Sequence, residues 1–122
     1  MTAPDAAPIR LVNRTRGSLL AERVEHAGAM AERLRGLVGR SELPAGNALA
    51  IAPCAAIHTF FMKFAIDAVF LDGSGRVVRA LPALRPWRAT RFHRRAAQVV
   101  ELPAGTLART GTREGDQLAF ER

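Results

Sequence analysis

The chain is poor in cysteine, lysine and tyrosine, with one, one and none of these residues among its 122 positions. A single cysteine excludes an internal disulfide framework and a zinc site with four cysteine ligands. No apolar run approaches the roughly 18 residues of a transmembrane helix, so we predict no membrane span. The length fits one domain, and an apolar content of 48% is sufficient for a buried core.

Recognisable catalytic signatures are also missing. The sequence contains no Walker loop, no dinucleotide-binding fingerprint, no metalloprotease motif and no Gly-x-Ser-x-Gly nucleophile elbow. We therefore predict no cofactor, no metal ligands and no specific catalytic residues, and we place a non-catalytic function ahead of an enzymatic one.

Acidic residues are absent from residues 73–100, although the chain has 11 of them. That segment contains seven arginines, namely Arg76, Arg79, Arg85, Arg88, Arg91, Arg94 and Arg95. The basic residues outside it also number 11, so the whole net charge of +7 falls within this one segment. A concentrated basic surface attracts anions, such as an anionic small molecule or an acidic protein segment. The bias toward arginine and alanine is also typical of a GC-rich genome, which leaves a merely solvated basic face as the alternative.

The composition of the N-terminus sets the start of the domain. Residues 1–8 are rich in alanine and proline, and we predict a flexible tail there before a single α+β domain at residues 9–122. The start of the chain lacks the run of about seven or more apolar residues that a signal peptide requires. Taken as a complete chain, the protein is therefore expected in the cytoplasm.

Short apolar stretches bounded by turn residues predict several strands. They lie at residues 9–13, 18–25, 48–52, 57–64, 66–72, 76–81, 97–102 and 115–121. The sequence Asp-Gly-Ser-Gly at residues 72–75 is a strong turn signal, so the strands on either side of it are predicted to form a hairpin.

Two helices are predicted between these strands. Residues 28–37 place Met30, Leu34 and Leu37 on one apolar stripe, which favours a main amphipathic helix. Residues 103–109 are predicted to form a second, short helix. Many short strands with little helix predict an α+β fold, whose small and mostly antiparallel sheet is curled or forms a partial barrel.

Four sequence blocks resemble those of a prokaryotic family without an established activity. They are ERLRGLVGR at residues 32–40, HTFFMKFAID at 58–67 with VFLD at 69–72, ELPAG at 101–105 and Gly-Asp at 115–116. The chain resembles domain-of-unknown-function family 192, in its His-Thr-Phe-Phe-Met branch, over about residues 10 to 120. The resemblance implies the fold of that family, and many of the similar proteins look exported, but it implies no particular activity.

Residues 58–67 bring a histidine, a methionine, the only lysine and an aspartate next to several aromatic residues. On an extended strand, Met62 would point to one face and Lys63 to the other. Lys63 can act as a base, an anion ligand or the partner of a carboxylate, and Asp67 is the nearest carboxylate. The alternative for Lys63 and Asp67 is a structural anchor, through an ion pair or through hydrogen bonds in a turn.

Trp87 lies between two arginines of the basic segment and can supply apolar contact while they bind an anion. The segment has one further aromatic residue, Phe92, whereas proteins that stack on nucleic-acid bases usually show several, so nucleic acid is disfavoured. We hypothesise a non-catalytic binding or accessory module with its site between residues 58–67 and 86–95. The predicted ligand-binding residues are His58, Met62, Lys63, Asp67, Arg85, Trp87 and Arg88.

Two alternatives remain at the level of the sequence. A small enzyme or metal-binding protein would use His58 as base or ligand, with Asp67 orienting it and either Cys54 or His93 joining them. That hypothesis requires these side chains to converge in one pocket, and a lone cysteine is more often a small buried residue. The third hypothesis is an interaction subunit of an oligomer or an envelope assembly, and the oligomeric state stays open.

Overall fold

The computed structural model of the chain describes residues 7–27, residue 37 and residues 40–122. Eight strands and one short helix form within these residues. They are β1 Arg10–Asn13, β2 Ser18–Ala21, β3 Arg23–Ala27, β4 Asn47–Ile51, β5 Ile66–Leu71, β6 Val77–Leu84, β7 Gln98–Pro103, α1 Thr106–Thr110 and β8 Leu118–Glu121. Among the described residues, no helix has the length and hydropathy that crossing a membrane requires.

The strands form two sheets. Three strands pair in the order β2-β1-β8, and both pairings are antiparallel. Five strands pair in the order β3-β4-β7-β5-β6, and within this sheet β3 and β4 are parallel while the other pairings are antiparallel. The predicted α+β fold with mostly antiparallel strands is confirmed. The main helix predicted at residues 28–37 lies outside the described residues, except for Leu37, which is buried.

The five-stranded sheet is covered on both faces, and its central strands are accordingly apolar at nearly every position. All six residues of β5 are buried, which is typical of a strand with no solvent-facing side. On one face, Val69 and Val100 pack against the three-stranded sheet and α1. On the other face, Phe70 and Val99 pack under the irregular chain that follows β4. Burial of one such side chain contributes about 1.5 to 3 kcal/mol, so this sheet is the centre of stability.

The turn between β5 and β6 joins the two sheets at one corner. Gly75 adopts the left-handed region with φ of 90°, and its carbonyl accepts a hydrogen bond of 2.9 Å from the backbone N–H of Leu118. Val77 donates to Asp116 at 2.9 Å and accepts from Gly115 at 2.8 Å. A Cβ atom at position 75 would lie 2.6 Å from the carbonyl oxygen of Leu118, so both the conformation and the space require glycine there.

Two details of the predicted strands are corrected. The strand predicted at residues 18–25 is interrupted at Glu22, whose backbone N–H donates to the carbonyl of Gly46 at 2.8 Å. Because of that interruption, β2 and β3 belong to different sheets. Residues 57–64 are not the extended strand that the aromatic run indicated, since the chain turns there and Phe61 has a positive φ of 66°.

Candidate functional site

The two segments named by the sequence lie side by side. The backbone N–H of Thr59 donates to the carbonyl of Arg88 at 2.7 Å, and the N–H of Trp87 donates to the carbonyl of Thr59 at 2.9 Å. Further along, Thr90 donates to Ile57, also at 2.9 Å. These bonds form an irregular antiparallel pair, so the side chains of both segments reach the same surface.

Thr59 holds this pair together from the inside. Its side chain is fully buried, and the hydroxyl donates to the carbonyl of Arg85 at 2.6 Å. The same oxygen accepts a bond of 2.9 Å from the backbone N–H of Arg88. One hydroxyl therefore fixes both ends of the turn that carries Trp87. Thr59 was not among the predicted site residues, although it lies inside the HTFFM block.

Three large aromatic side chains are exposed on this surface. Phe60 is 38% exposed, Trp87 is 56% exposed and Phe61 is 65% exposed. The ring centroids of Phe61 and Trp87 lie 4.7 Å apart, and Phe60 stacks on His58 at 4.8 Å. We call His58, Phe60, Phe61 and Trp87 the aromatic patch.

The backbone that presents the aromatic patch is strained. Phe61 and Trp87 both have positive φ, at 66° and 63°. Such conformations cost about 1 to 3 kcal/mol each and persist where the surroundings enforce them. Here the bonds to Thr59 provide that enforcement, and Phe61 and Trp87 are also more exposed than Phe60.

Cations border the aromatic patch. Lys63, Arg85 and Arg88 are exposed, and none of them forms an ion pair with a carboxylate of the residues that the structure describes. Within the described residues, the guanidinium of Arg88 makes only long contacts, of 3.4 and 3.5 Å, to the carbonyls of Pro86 and Trp87. The patch therefore combines apolar rings with positive charge that is not neutralised locally.

Two of the predicted ligand-binding residues lie inside the fold, which corrects their assignment. Met62 is 4% exposed and belongs to the core. Asp67 is fully buried, and its two carboxylate oxygens accept backbone bonds of 2.9 Å from Ala83 and 2.8 Å from Leu107. Asp67 is thus the structural anchor that the sequence left open as an alternative, and it ties β6 and α1 to β5.

The arrangement required by the enzyme hypothesis does not form around Asp67. His58 is exposed and its Nδ1 accepts a bond of 3.1 Å from the N–H of Phe60, while the carboxylate of Asp67 is occupied in the interior. The Sγ of Cys54 donates to the carbonyl of Ala56 at 3.1 Å. His93 packs its ring 4.5 Å from that of Phe70. No set of three His, Cys, Asp or Glu side chains in the described part of the chain is placed to hold a metal ion.

A second buried carboxylate was not singled out by the sequence. Glu101 on β7 is 2% exposed, and its Oε1 atom has no hydrogen-bond partner among the residues that the structure describes. Burial raises the pKa of Glu101 from its ordinary value of 4.5 to about 7, and the positive charge of Arg40 opposes that rise. Glu101 lies in the ELPAG block, but nothing in the neighbouring sequence indicates a buried carboxylate of this kind.

Comparison with known proteins identifies relatives over nearly the whole chain. A UPF0127 protein of Thermococcus sibiricus is 34% identical over 119 residues, covering 91% of this chain and 74% of the relative. A UPF0127 protein of Pyrococcus furiosus is 32% identical over 117 residues, covering 92% of this chain and 98% of the relative. Both relatives are uncharacterised, so they indicate a family relationship but no function.

Solved structures show the same fold. A crystal structure of a protein of unknown function from Novosphingobium aromaticivorans matches with a TM-score of 0.79 and 21% identity, over 98% of this chain and 91% of the other. A protein of Sinorhizobium meliloti, proposed to be a transcription regulator, matches with a TM-score of 0.77 and 22% identity, over 92% of this chain and 91% of the other. At this level of identity the likeness concerns the fold alone.

The family profile agrees with the resemblance seen in the four sequence blocks. The family described as "Uncharacterized ACR", domain-of-unknown-function family 192, matches residues 11–120. The match includes every strand from β2 to β7, the helix α1 and the aromatic patch. The chain belongs to this family.

Proposed function

We propose that the protein is a non-catalytic binding module that takes an acidic protein segment on the aromatic patch and the adjoining Lys63, Arg85 and Arg88. The observation that carries the proposal is the exposure of three neighbouring aromatic rings beside cations that have no carboxylate partner among the described residues. Protein interfaces are enriched in aromatic residues and arginine, and their binding energy concentrates in a few such side chains.

The shape of the surface favours a protein segment over an anionic small molecule. Phe61 and Trp87 keep more than half of their surface in contact with solvent, so they project outward instead of lining an enclosed pocket. A small ligand usually buries most of its surface in a concave site. An extended segment can lay apolar side chains across projecting rings and place its carboxylates against the flanking cations.

The rigid support of the patch also favours binding. The hydroxyl and carbonyl of Thr59 fix the turn that carries Trp87 before any partner arrives. Groups that are already held in place lose less conformational entropy on association. We therefore expect Trp87 to be the residue whose truncation weakens binding most.

The test is selection from a peptide-display library with fixed Asp and Glu positions, against a matched library with Lys at those positions. Trp87 is the only tryptophan and the chain lacks tyrosine, so the emission of Trp87 reports binding to the parent protein. The fluorescence anisotropy of dye-labelled peptides measures binding to every variant, including the one that lacks Trp87. We expect selected acidic peptides to bind Trp87→Ala at least about tenfold more weakly, which corresponds to about 1.4 kcal/mol.

Matched controls come from the same basic segment. Phe92 is 73% exposed but is not part of the patch, so Phe92→Ala should retain peptide binding. Arg94→Gln removes an exposed arginine outside the patch and should also retain it. The proposal fails if the lysine library is enriched equally, or if Phe92→Ala and Trp87→Ala lose the same affinity.

Self-association is the outcome that would redirect the proposal. Light scattering over a range of protein concentration would reveal dimers, and their loss in Phe61→Ala would identify a second copy of the chain as the occupant. A concentration-independent monomer together with acidic-peptide binding is the expected result.

A further inference from the structure

A cleft on the other side of the basic segment is separate from the aromatic patch. It has a volume of about 530 Å³ and lies between β6 and residues 89–93, with Glu114 at one end. This volume falls within the range of roughly 300 to 1,000 Å³ that is typical of small-molecule sites. Neither the aromatic patch nor its flanking cations line the cleft.

The floor of the cleft is apolar and one wall is fixed. Val78, Leu81 and Leu84 of β6 contribute apolar surface. On the wall, the hydroxyl oxygen of Thr90 accepts a bond of 3.0 Å from the backbone N–H of Ile57, which holds this side chain in place. The hydroxyl proton of Thr90 has no acceptor among the described residues, so it is available to a ligand.

The charges of the cleft leave one cation unbalanced. Arg79 and Glu114 form an ion pair at 3.2 Å and neutralise each other. Arg91 lines the cleft and has no carboxylate partner in the part of the chain that the structure describes. An apolar floor with one unpaired guanidinium matches a ligand with one negative charge and an apolar body.

His93 lines the cleft, and its imidazole lies close to the charged residues there. Its ring is held 4.5 Å from Phe70, and its backbone N–H donates to Ala55 at 2.9 Å. Burial, followed by the positive charges of Arg79 and Arg91, lowers the pKa of His93, while Glu114 acts in the opposite direction. The imidazole is therefore mainly neutral at pH 7.

We propose that this cleft binds a small carboxylate with an apolar body, whose carboxylate pairs with Arg91 and accepts a hydrogen bond from Thr90. The apolar body contacts the floor formed by β6 and the ring of His93. The proposal is independent of the acidic-segment site, because it uses different side chains on a different surface.

The test is a nuclear magnetic resonance titration of the imidazole protons with benzoate, benzamide and phenyl phosphate. The chain has three histidines, and the His93 signal is assigned by its loss in His93→Gln. A bound carboxylate offsets the nearby arginines, so saturating benzoate should raise the pKa of His93 by about one unit. Benzamide has the same shape without the charge and should bind at least about tenfold more weakly.

Arg91→Gln should lower benzoate affinity at least about tenfold, whereas Arg95→Gln removes an exposed arginine that does not line the cleft and should leave affinity unchanged. Three results would overturn the proposal. They are equal binding of benzamide and benzoate, equal losses in the two arginine variants, and no change at His93 with millimolar benzoate. Tighter binding of phenyl phosphate than of benzoate would overturn the assignment of a singly charged ligand.

Discussion

Asp67 and Glu101 are two carboxylates buried in neighbouring strands, and their surroundings differ in one respect. Asp67 on β5 opposes Leu102 on β7, and Glu101 on β7 opposes Ala68 on β5, so the two side chains lie on opposite faces of the sheet. Asp67 receives a backbone N–H on each oxygen, whereas the Oε1 of Glu101 receives no hydrogen bond from the described part of the chain. The two carboxylates are buried to a similar extent, but Asp67 is a hydrogen-bonded structural anchor, whereas Glu101 is easily protonated because its Oε1 has no hydrogen-bond donor among the described residues.

The difference arises from what covers each face. Over Asp67, the bend of β6 at Ala83 and the first turn of α1 both direct free N–H groups at the carboxylate. Over Glu101, the nearest cross-strand neighbours are the apolar side chains of Leu49 and Ala68. Charge burial is tolerated where backbone donors converge, and it costs stability where apolar side chains surround the group.

The largest expected effect is that of Asp67→Asn. The amide keeps the shape but presents an NH₂ group to one of the two backbone donors, so the free energy of unfolding should fall by about 3 kcal/mol. Urea denaturation with an unchanged m value would measure the loss. The matched control is Asp72→Asn, because Asp72 also accepts two backbone N–H groups but in an exposed turn. Equal losses in both variants would contradict a role for burial.

The effect next in size, and opposite in sign, is expected for Glu101→Gln. Because the pKa of Glu101 is about 7 in the folded state and 4.5 ordinarily, the folded protein binds the proton more tightly. Stability should therefore be full below pH 4.5 and should decrease as the pH rises through 7. The variant avoids that decrease and should be more stable than the parent by up to about 3 kcal/mol at pH 8, with little difference at pH 4.

Denaturation of parent and Glu101→Gln at pH 4, 6 and 8 would check this prediction. Glu114→Gln serves as control, since Glu114 is exposed and paired with Arg79. If the two glutamine variants show the same dependence on pH, the decrease does not originate at Glu101.

The smallest of the three effects extends the comparison to a neutral buried group. Thr59→Val keeps the volume but removes the hydroxyl that bonds to Arg85 and Arg88. We expect a loss of about 1 to 2 kcal/mol in the free energy of unfolding and a shift in the emission of Trp87. Unchanged emission would mean that the turn keeps its strained conformation without Thr59.

The sequence predicted those parts of the fold that depend on local pattern. The hairpin of β5 and β6 follows from an apolar run on each side of the Asp-Gly-Ser-Gly turn, where Ser74 and Arg76 donate to the Asp72 carboxylate. The interruption at Glu22 was not predictable, because it depends on the carbonyl of Gly46, far along the chain. Long-range hydrogen bonds leave no mark on local periodicity.

The proximity of the two segments was predicted from the sequence, whereas their conformation was not. Uneven charge and the aromatic run correctly indicated that residues 58–67 and 86–95 are neighbours. The extended reading of the first segment was wrong because β propensity is high for phenylalanine, whereas the bonds to Thr59 impose a turn there. The roles of Asp67 and Glu101 depend on whether other elements bring hydrogen-bond donors to the carboxylate. The residues next to each carboxylate in the sequence do not indicate this.

The corner at Gly75 affects how the protein unfolds. Gly75 and Val77 lie at the β5–β6 hairpin of the larger sheet. Their backbone hydrogen bonds connect this hairpin to the loop before β8 and to Leu118, the first residue of β8. Neither sheet can separate there without breaking bonds of the other, so the two sheets should open in one cooperative transition. The amide protons of Val77 and Leu118 should then exchange with solvent at the rate set by global unfolding, and substitutions in either sheet should alter both exchange rates together.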